Sequence, residues 1–484
     1  MVNLDETGTW LRQHLPALLA EHQVPGAAVA VLVDDQVVDH AAGVLSMSTG
    51  VAATVDSVFQ IGSITKVWTA TLVMQLIDEG RLDLDAPVRR YLPEFRLGDE
   101  SAAATITVRH LLCHTSGFEG DVFTDTGSNE DCVEKYVGAL GEVGQLFAPG
   151  EMFSYNNAAF CVLGRVVEVL RGMPFERCLR EHLFTPLGLT HAANGADEAI
   201  LYRAAVGHVQ PTPDAPQQPA PVWSLVRSNA PAGSRLAMRP RDLLAFARMH
   251  LDEGVAADGS RVLSPASVAA MGQRQVELPE VGLMGGAWGL GWEVYDWPGG
   301  PVLAHDGGTV GQAAFLRVVP GRRVAVALLT NGGDAVALYT RLYGHLLPEL
   351  AGVEVPPMPT PPVRPKRVDA SRFVGTYASE VVDLTVSQDD DGRVWLEQVP
   401  KGLLAEIGRQ VERKELVRPD LVRSDAAGSD VVGADGDIEP DDGTFIPVQP
   451  IQGVHPALSF VGADGTGRAL YLHNGRANRR VSPA

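Results

Sequence analysis

Ser63 and Lys66 are the residues whose types and spacing first indicate chemistry. They stand three positions apart in IGSITKVW, and on a helix this spacing brings two side chains onto one face. A serine hydroxyl needs a neighbouring base to attack a carbonyl. A lysine in water, with a pKa of about 10.4, is protonated at neutral pH, so Lys66 can help only where it is desolvated or near another cation. The apolar flanks favour such a position.

A second group of polar side chains lies in MFSYNNAAF. Tyr155 and Asn157 are two residues apart, so both could face the same way from an extended turn. A tyrosine can relay a proton to a leaving group, and an asparagine amide can hold a substrate carbonyl while bonding to the lysine. Taken alone, the triplet is also typical of a half-buried tyrosine beside a turn-forming asparagine pair.

The third group closes a strand-like run and consists of His305, Asp306, Gly307 and Gly308. Glycines at a strand edge would let a substrate lie close to the backbone, and a backbone N–H there could point at a developing oxyanion. His305 offers a titratable hydrogen-bond donor. A single histidine at a strand end is also common as a surface or capping residue.

The elements that must position these residues are strands and helices in mixed order. An apolar stripe after Ser63 predicts a helix to Glu79, with Gly80 after its end, so Ser63 is expected at a helix N-terminus. A sheet built from both ends of the chain, with helices inserted between them, gives an α/β or α+β sandwich. Its predicted strands are 27–33, 37–42, 302–305, 313–319 and 324–330.

A proline-rich stretch divides the chain. Residues 355–366 contain six prolines, which excludes helix or central strand and predicts a semi-rigid linker. We expect a catalytic domain over residues 1–354 and a small β-barrel over residues 367–484, where short alternating runs are separated by turn residues. The acidic, glycine-rich stretch 425–443 lacks the full calcium-loop pattern, and we interpret it as a mobile surface loop.

The order and separation of the three motifs resemble the signature of the serine β-lactamase and penicillin-binding-protein superfamily. The Tyr-x-Asn version is similar to class C β-lactamases, D-aminopeptidases and related carboxylesterases. The resemblance covers about residues 10–350, and the segment after the linker is similar to the lipocalin-like barrel of many such hydrolases. Supporting phrases are GRLDLDAPVRRYLPEF, LLCHTSG, NAPAGSRLAMRPRDLLAFA and WGLGW.

The resemblance implies a β-lactamase/transpeptidase-like fold and an acyl-enzyme mechanism. Ser63 would be the nucleophile, and Lys66 would be either its base or the partner of a Tyr155 phenolate. Tyr155 would protonate the leaving group, and Asn157 would hold the acyl amide. The N–H groups of Ser63 and Gly308 would form the oxyanion hole. The substrate-binding set is then Asn157, His305, Gly307 and Gly308.

His305 departs from the Lys-Thr-Gly pattern of β-lactamases and D-Ala-D-Ala peptidases. A histidine with a pKa of about 6.5 is often neutral, so recognition of a substrate carboxylate should weaken. Esters, amides, D-residue peptides or thioesters then become better candidates than β-lactams. One alternative is a stand-alone penicillin-binding-protein-type thioesterase that cyclises a nonribosomal peptidyl thioester. An alternative of another class is an inactive binding protein on the same fold, although every expected side chain is present.

Composition and charge restrict the partners and the compartment. The chain is 45% hydrophobic with a net charge of −20, which indicates a globular protein that repels nucleic acid and anionic lipid. We expect a small-molecule or peptide substrate, including one that a carrier protein holds as a thioester. The first residues lack a secretory pattern, so a cytoplasmic location is expected. The four cysteines have no metal-ligand spacing, and we expect buried thiols and neither metal nor cofactor.

Overall fold

The computed structural model describes residues 4–212, 215–402, 405, 410–419, 443–451 and 453–482. The chain divides into two compact units. The first comprises Met1–Glu277 and Gly286–Val355, and the second comprises Leu278–Gly285 and Pro356–Ala484. The short segment Leu278–Gly285 belongs to the second unit, which the sequence did not predict. The stretch 425–443 lies outside the described residues, except for its last glycine.

An antiparallel sheet of eight strands forms the centre of the first unit, and its strands come from both ends of this unit, as predicted. Its order is β2-β1-β13-β12-β11-β10-β9-β8, and short strands elsewhere form two small sheets. The strands of this unit are β1 (Gly26–Val33), β2 (Gln36–Gly43), β3 (Phe59–Gln60), β4 (Ala192–Ala193), β5 (His208–Val209), β6 (Gln218–Pro219), β7 (Ala237–Met238), β8 (Val276–Glu277), β9 (Ala287–Trp288), β10 (Glu293–Trp297), β11 (Gly300–Gly308), β12 (Ala313–Val319) and β13 (Val324–Thr330).

Helices cover both faces of this sheet. The helices of this unit are α1 (Leu4–Glu21), α2 (Thr65–Asp78), α3 (Glu100–Thr105), α4 (Val108–Leu112), α5 (Cys132–Gly138), α6 (Asn157–Arg171), α7 (Phe175–Leu179), α8 (Ala196–Ala199), α9 (Pro240–Leu251), α10 (Pro265–Gly272) and α11 (Ala335–Ala351). Side chains of β1 alternate between two cores because successive residues of a strand point to opposite faces. Ala28, Ala30 and Leu32 pack with α2, α6 and α9, whereas Ala27, Val29 and Val31 pack with α1 and α11.

The strand β11 positions part of the candidate site and is longer than the predicted run 302–305. It pairs with β12 as far as Gly308 and Ala313. Its pairing with β10 ends at Glu293 and Ala304. Residues 305–308 therefore have a strand neighbour on one side only, and their other edge faces the chain around Ser63.

The second unit is a closed barrel of eight consecutive strands, which confirms the predicted barrel. Aromatic residues, including Phe373, Tyr377, Phe445 and Phe460, pack into its core. The segment between α11 and β14, which includes residues 355–366, forms no helix or strand. The strands are β14 (Gly375–Ala378), β15 (Val382–Gln388), β16 (Val394–Pro400), β17 (Glu412–Val417), β18 (Thr444–Pro447), β19 (Leu458–Val461), β20 (Tyr471–His473) and β21 (Ala477–Ser482).

Two further sequence expectations concern cysteines and membrane spans. All four cysteines are free and buried, as expected, and burial raises the pKa of the Cys161 thiol to about 12. Such a thiol is unreactive because the thiolate is the nucleophilic form. Within the described part of the chain, no helix combines the length and apolar character that crossing a bilayer requires.

Candidate active site

Ser63 lies in a 3-10 turn, Gly62–Ile64, that leads directly into α2. Gly62 has a φ of +51°, a left-handed conformation that favours glycine. A Cβ on Gly62 would also lie 2.6 Å from the Gly308 nitrogen. The turn that carries Ser63 is therefore packed directly against the free edge of β11, and glycine permits this approach.

Lys66 is fully buried, one helical turn after Ser63. Its Nζ donates to Ser63 Oγ at 3.0 Å and to the carbonyl oxygen of Ala232 at 2.6 Å. Nζ also lies 4.7 Å from the centre of the Tyr155 ring. The structure thus brings together the three residues that the sequence proposed as catalytic. The sequence did not predict a role for Ala232, because every residue has a backbone carbonyl and the residue type does not show which one is used.

Tyr155 is held by contacts that His114 makes with both of its neighbours. The His114 carbonyl accepts from the Ser154 N–H at 2.9 Å, and His114 Nδ1 accepts from the Asn156 N–H at 2.9 Å. The imidazole ring lies 4.5 Å from the Tyr155 ring. His114 is fully buried and has a φ of +58°. LLCHTSG supports the family resemblance, but it predicts no role for this histidine.

Asn157 is the first residue of α6, so the expected extended turn is replaced here by a helix start. The reason is local, because the Asn156 side chain caps the helix by accepting from the Ala159 N–H at 2.7 Å. Asn157 Nδ2 donates to Asp121 Oδ1 at 2.8 Å. This bond turns the amide oxygen of Asn157 away from Asp121, a residue that the sequence did not single out.

His305 is 1% exposed, and its burial changes one expectation: its proton is held within the protein and does not titrate near neutral pH. Its Nδ1 lies 2.7 Å from the Asp306 carbonyl oxygen, which can only accept, so Nδ1 carries the proton. Burial, assisted by the positive charge of Lys66, lowers the pKa of His305 to about 3. The ring is therefore neutral and Nε2 is a hydrogen-bond acceptor. Nε2 has no hydrogen-bond partner among the described residues.

Gly307 and Gly308 have different surroundings. A Cβ on Gly307 would lie 1.9 Å from the Ile61 carbonyl oxygen, so the chain before Ser63 fills the space in which the sequence predicts a substrate. A Cβ on Gly308 would meet no atom within 4 Å. Gly307 therefore allows the Ser63 turn to pack against β11, and only Gly308 lies beside open space.

The backbone of β11 directs its N–H groups alternately to its two sides. The Asp306 N–H donates to Glu293 Oε1 at 3.4 Å, and Glu293 belongs to β10, so this N–H points away from β12. The Gly308 N–H, two residues on, points to the same side and therefore to the free edge. A Cβ on Gly62 would lie 2.6 Å from the Gly308 nitrogen, so this N–H lies close to the turn that carries the Ser63 N–H.

Comparisons with known proteins show which proteins the chain is similar to. The profile of the Beta-lactamase family matches residues 11–346. Penicillin-binding protein 4 of Amycolatopsis lactamdurans is 47% identical over 370 residues, which cover 76% of this chain and 97% of that protein. The crystal structure of SurE superposes with a TM-score of 0.76 at 27% identity and covers 99% of both chains.

A D-stereospecific amidohydrolase from Streptomyces sp. has a TM-score of 0.54 at 27% identity, covering 69% of this chain and 97% of its own. The family match extends over more than half of the chain and includes Ser63, Tyr155 and His305. The resemblance inferred from the motifs is thereby confirmed. The chain belongs to the Beta-lactamase family, the serine hydrolases of β-lactamase and penicillin-binding-protein type.

Proposed function

We propose that this protein is a serine hydrolase or acyltransferase that works through an acyl-enzyme on Ser63. The observation that carries the proposal is the 3.0 Å hydrogen bond between Lys66 Nζ and Ser63 Oγ, in a turn packed against the edge of β11 towards which the Gly308 N–H points. A nucleophile, a proton-handling partner and oxyanion donors are the parts that acyl transfer requires.

The reaction cycle follows from these positions. Ser63 Oγ attacks the substrate carbonyl carbon, and its proton passes to Lys66 or to a Tyr155 phenolate. The N–H groups of Ser63 and Gly308 hold the oxyanion of the tetrahedral intermediate. As the carbon–leaving-group bond breaks, the leaving group takes a proton from Tyr155. The resulting Ser63 ester is then resolved by water or by an amine.

The neutral state of His305 supports a substrate without a carboxylate at this position. The Lys-Thr-Gly lysine of the related enzymes keeps a fixed positive charge there, whereas His305 presents an acceptor nitrogen. A β-lactam is therefore disfavoured, and an ester, amide or thioester of a D-residue peptide is favoured. The preference for D residues is proposed from the similarity to two solved structures. SurE has also been solved with D-Leu, and the amidohydrolase is D-stereospecific.

The closed barrel after the linker favours a second candidate function. Penicillin-binding-protein-type thioesterases share His-x-Gly and a C-terminal barrel, as the sequence resemblance implies. In this version a peptidyl thioester acylates Ser63, and the amine of the same peptide attacks the ester and closes a ring. Hydrolysis and cyclisation differ only in whether water or this amine attacks.

A substrate panel tests the proposal. Purified protein is incubated with p-nitrophenyl esters, with D- and L-amino-acid amides, and with peptidyl thioesters ending in a D or an L residue. We expect turnover that requires Ser63 and a preference for D over L of roughly tenfold or more. A cyclic product, lighter than the acid by one water, identifies the second function. Equal rates for D and L substrates would contradict the proposed substrate class.

A further inference from the structure

Glu293 is a buried acid beside the candidate site that the proposed reaction does not use. It is the first residue of β10 and pairs with Ala304 of β11. Its side chain is nearly inaccessible to solvent. Because β10 begins here, the backbone of β11 beyond Ala304 has no strand neighbour on this side, and the Glu293 carboxyl lies at the point where that neighbour is missing.

The contacts of this carboxyl show what it replaces. Glu293 Oε1 accepts from the Asp306 N–H at 3.4 Å, and Glu293 Oε2 accepts from the Tyr295 hydroxyl at 3.1 Å. Oε1 lies 3.8 Å from His305 Nδ1. The carboxyl therefore accepts a hydrogen bond from the first N–H of β11 beyond its pairing with β10. In a continued sheet, a carbonyl oxygen of the neighbouring strand would accept this bond. The next N–H on that edge belongs to Gly308.

Charged and titratable groups from four elements face Glu293. They are Tyr295 on β10, His305 and Asp306 on β11, Arg317 on β12 and Tyr339 on α11. Arg317 forms a bidentate pair with Asp306, with N–O distances of 2.5 and 3.0 Å. Burial and then the charge of Asp306 raise the pKa of Glu293 to about 8, although Arg317 opposes this rise. Burial therefore disfavours the charged forms of both Glu293 and His305.

We propose that Glu293 is a positioning residue for acyl transfer: its carboxyl closes the β11 edge at Asp306 and leaves the Gly308 N–H as the strand's donor to the oxyanion. This inference rests on the proposed function. Without the carboxyl, the Asp306 N–H would compete for the substrate carbonyl two residues away from the productive position. An ionised Glu293 would place a negative charge next to the edge that must stabilise an oxyanion.

The test compares wild type, Glu293→Gln and Glu293→Leu in their rate of acylation by p-nitrophenyl acetate, read as the burst of p-nitrophenolate. Ser63→Ala serves as the blank. At pH 7 Glu293→Gln should stay within about threefold of wild type, because an amide oxygen still accepts from the Asp306 N–H. Glu293→Leu should be slower on the order of 10- to 100-fold, with a smaller change in KM.

The pH profile provides a readout that a merely structural role would not change. The wild-type acylation rate should fall as the pH rises through about 8, and Glu293→Gln should lack this loss. If the acylation rates of wild type and Glu293→Gln fall equally at alkaline pH, the proposal is overturned. Acylation at the wild-type rate in a folded Glu293→Leu protein would also overturn it. If Glu293→Leu does not fold, the comparison with Glu293→Gln decides alone.

Infrared spectra of the acetyl-enzyme, labelled with ¹³C at the carbonyl, add a direct measure of the oxyanion donors. The carbonyl stretch should move to higher frequency in Glu293→Leu, since hydrogen bonds from the oxyanion hole lower it. An unchanged stretch would count against the inference. If wild type itself forms no adduct at Ser63, the proposed function fails. If wild type is acylated normally and both Glu293 variants match it, the positioning role of Glu293 is refuted but the proposed function is not.

Discussion

Lys66 Nζ donates a 2.6 Å hydrogen bond to the carbonyl oxygen of Ala232, 166 residues later in the chain. Ala232 ends a 3-10 helix, Arg227–Ala232. This helix is itself fixed to α2, because Thr69 Oγ1 donates to the Pro231 carbonyl at 2.7 Å. The position of Lys66 Nζ thus depends on two segments that meet only in the folded protein. This carbonyl and Ser63 Oγ together fix where Nζ lies.

The first prediction concerns the role of Lys66 as the proton acceptor. Lys66→Arg keeps a positive charge, but a guanidinium cannot accept a proton at any accessible pH. We expect the acylation rate to fall by about 10²- to 10⁴-fold, measured as the p-nitrophenolate burst. Near-wild-type acylation in Lys66→Arg, combined with a large loss in Tyr155→Phe, would instead assign the proton to a Tyr155 phenolate.

A second prediction separates the two glycines of β11. In Gly307→Ala the new Cβ would lie 1.9 Å from the Ile61 carbonyl oxygen, so the Ser63 turn must shift. We expect a loss of stability of about 1–3 kcal/mol together with loss of acylation. Gly308→Ala is the matched control, since its Cβ meets nothing and its N–H remains. Thermal unfolding should show Gly308→Ala near wild type and Gly307→Ala destabilised, and the reverse order would refute the assignment.

A third prediction concerns charge selectivity at His305. His305→Lys should raise kcat/KM for a carboxylate-bearing ester relative to a matched neutral ester by about tenfold, which corresponds to about 1.4 kcal/mol. The physical reason is that a neutral acceptor is replaced by a cation. His305→Gln, which stays neutral, should leave this ratio unchanged. The same ratio in His305→Lys and wild type would count against the charge argument.

A fourth prediction links buried histidine to stability. Burial lowers the pKa of His250 to about 3, so the folded protein keeps this ring neutral while the unfolded chain binds a proton below about pH 6.5. The neutral His250 ring therefore contributes its full stabilisation above about pH 6.5. As the pH falls below this value, the free energy of unfolding decreases by up to about 1.4 kcal/mol per pH unit.

His250→Phe should therefore show a flatter dependence of unfolding free energy on pH between about 6 and 4, measured with urea. The aromatic contacts with Phe246 and Trp292 make phenylalanine a conservative replacement. Glu293 contributes the opposite slope, because its raised pKa makes the folded protein less stable as the pH rises towards 8. It is present in both proteins, so their difference isolates His250. Parallel curves would contradict the prediction.

The sequence predicted features that depend on local spacing. Ser63 and Lys66 meet because they lie one helical turn apart, and the long strands were predicted from continuous apolar runs. In the barrel, the ERKELV segment of β17 shows no apolar alternation, so the sequence carries no strand signal there. The barrel strands that were predicted have clearer patterns, as in LTVSQ of β15.

Long-range partners of the site could not be predicted in the same way. Ala232 contributes only a backbone carbonyl, and His114 acts on the neighbours of Tyr155 from a different helix-loop segment. Asp121 and Glu293 are acidic residues with no distinctive sequence pattern, and their roles come from the groups that they contact in the folded protein, Asn157 and Asp306. The neutral state of His305 was expected, but its nearly complete burial depends on packing against Trp288 and Tyr155.

The most direct test of the central claim is covalent labelling of Ser63. Folded protein is treated with a fluorophosphonate probe, and the adduct is measured by intact mass and located by peptide mapping, with Ser63→Ala as the control. We predict one adduct per chain, on Ser63, and none in Ser63→Ala, whose melting temperature should match wild type. A folded wild-type protein that acquires no adduct, or a Ser63→Ala protein labelled to the same extent, would contradict the account.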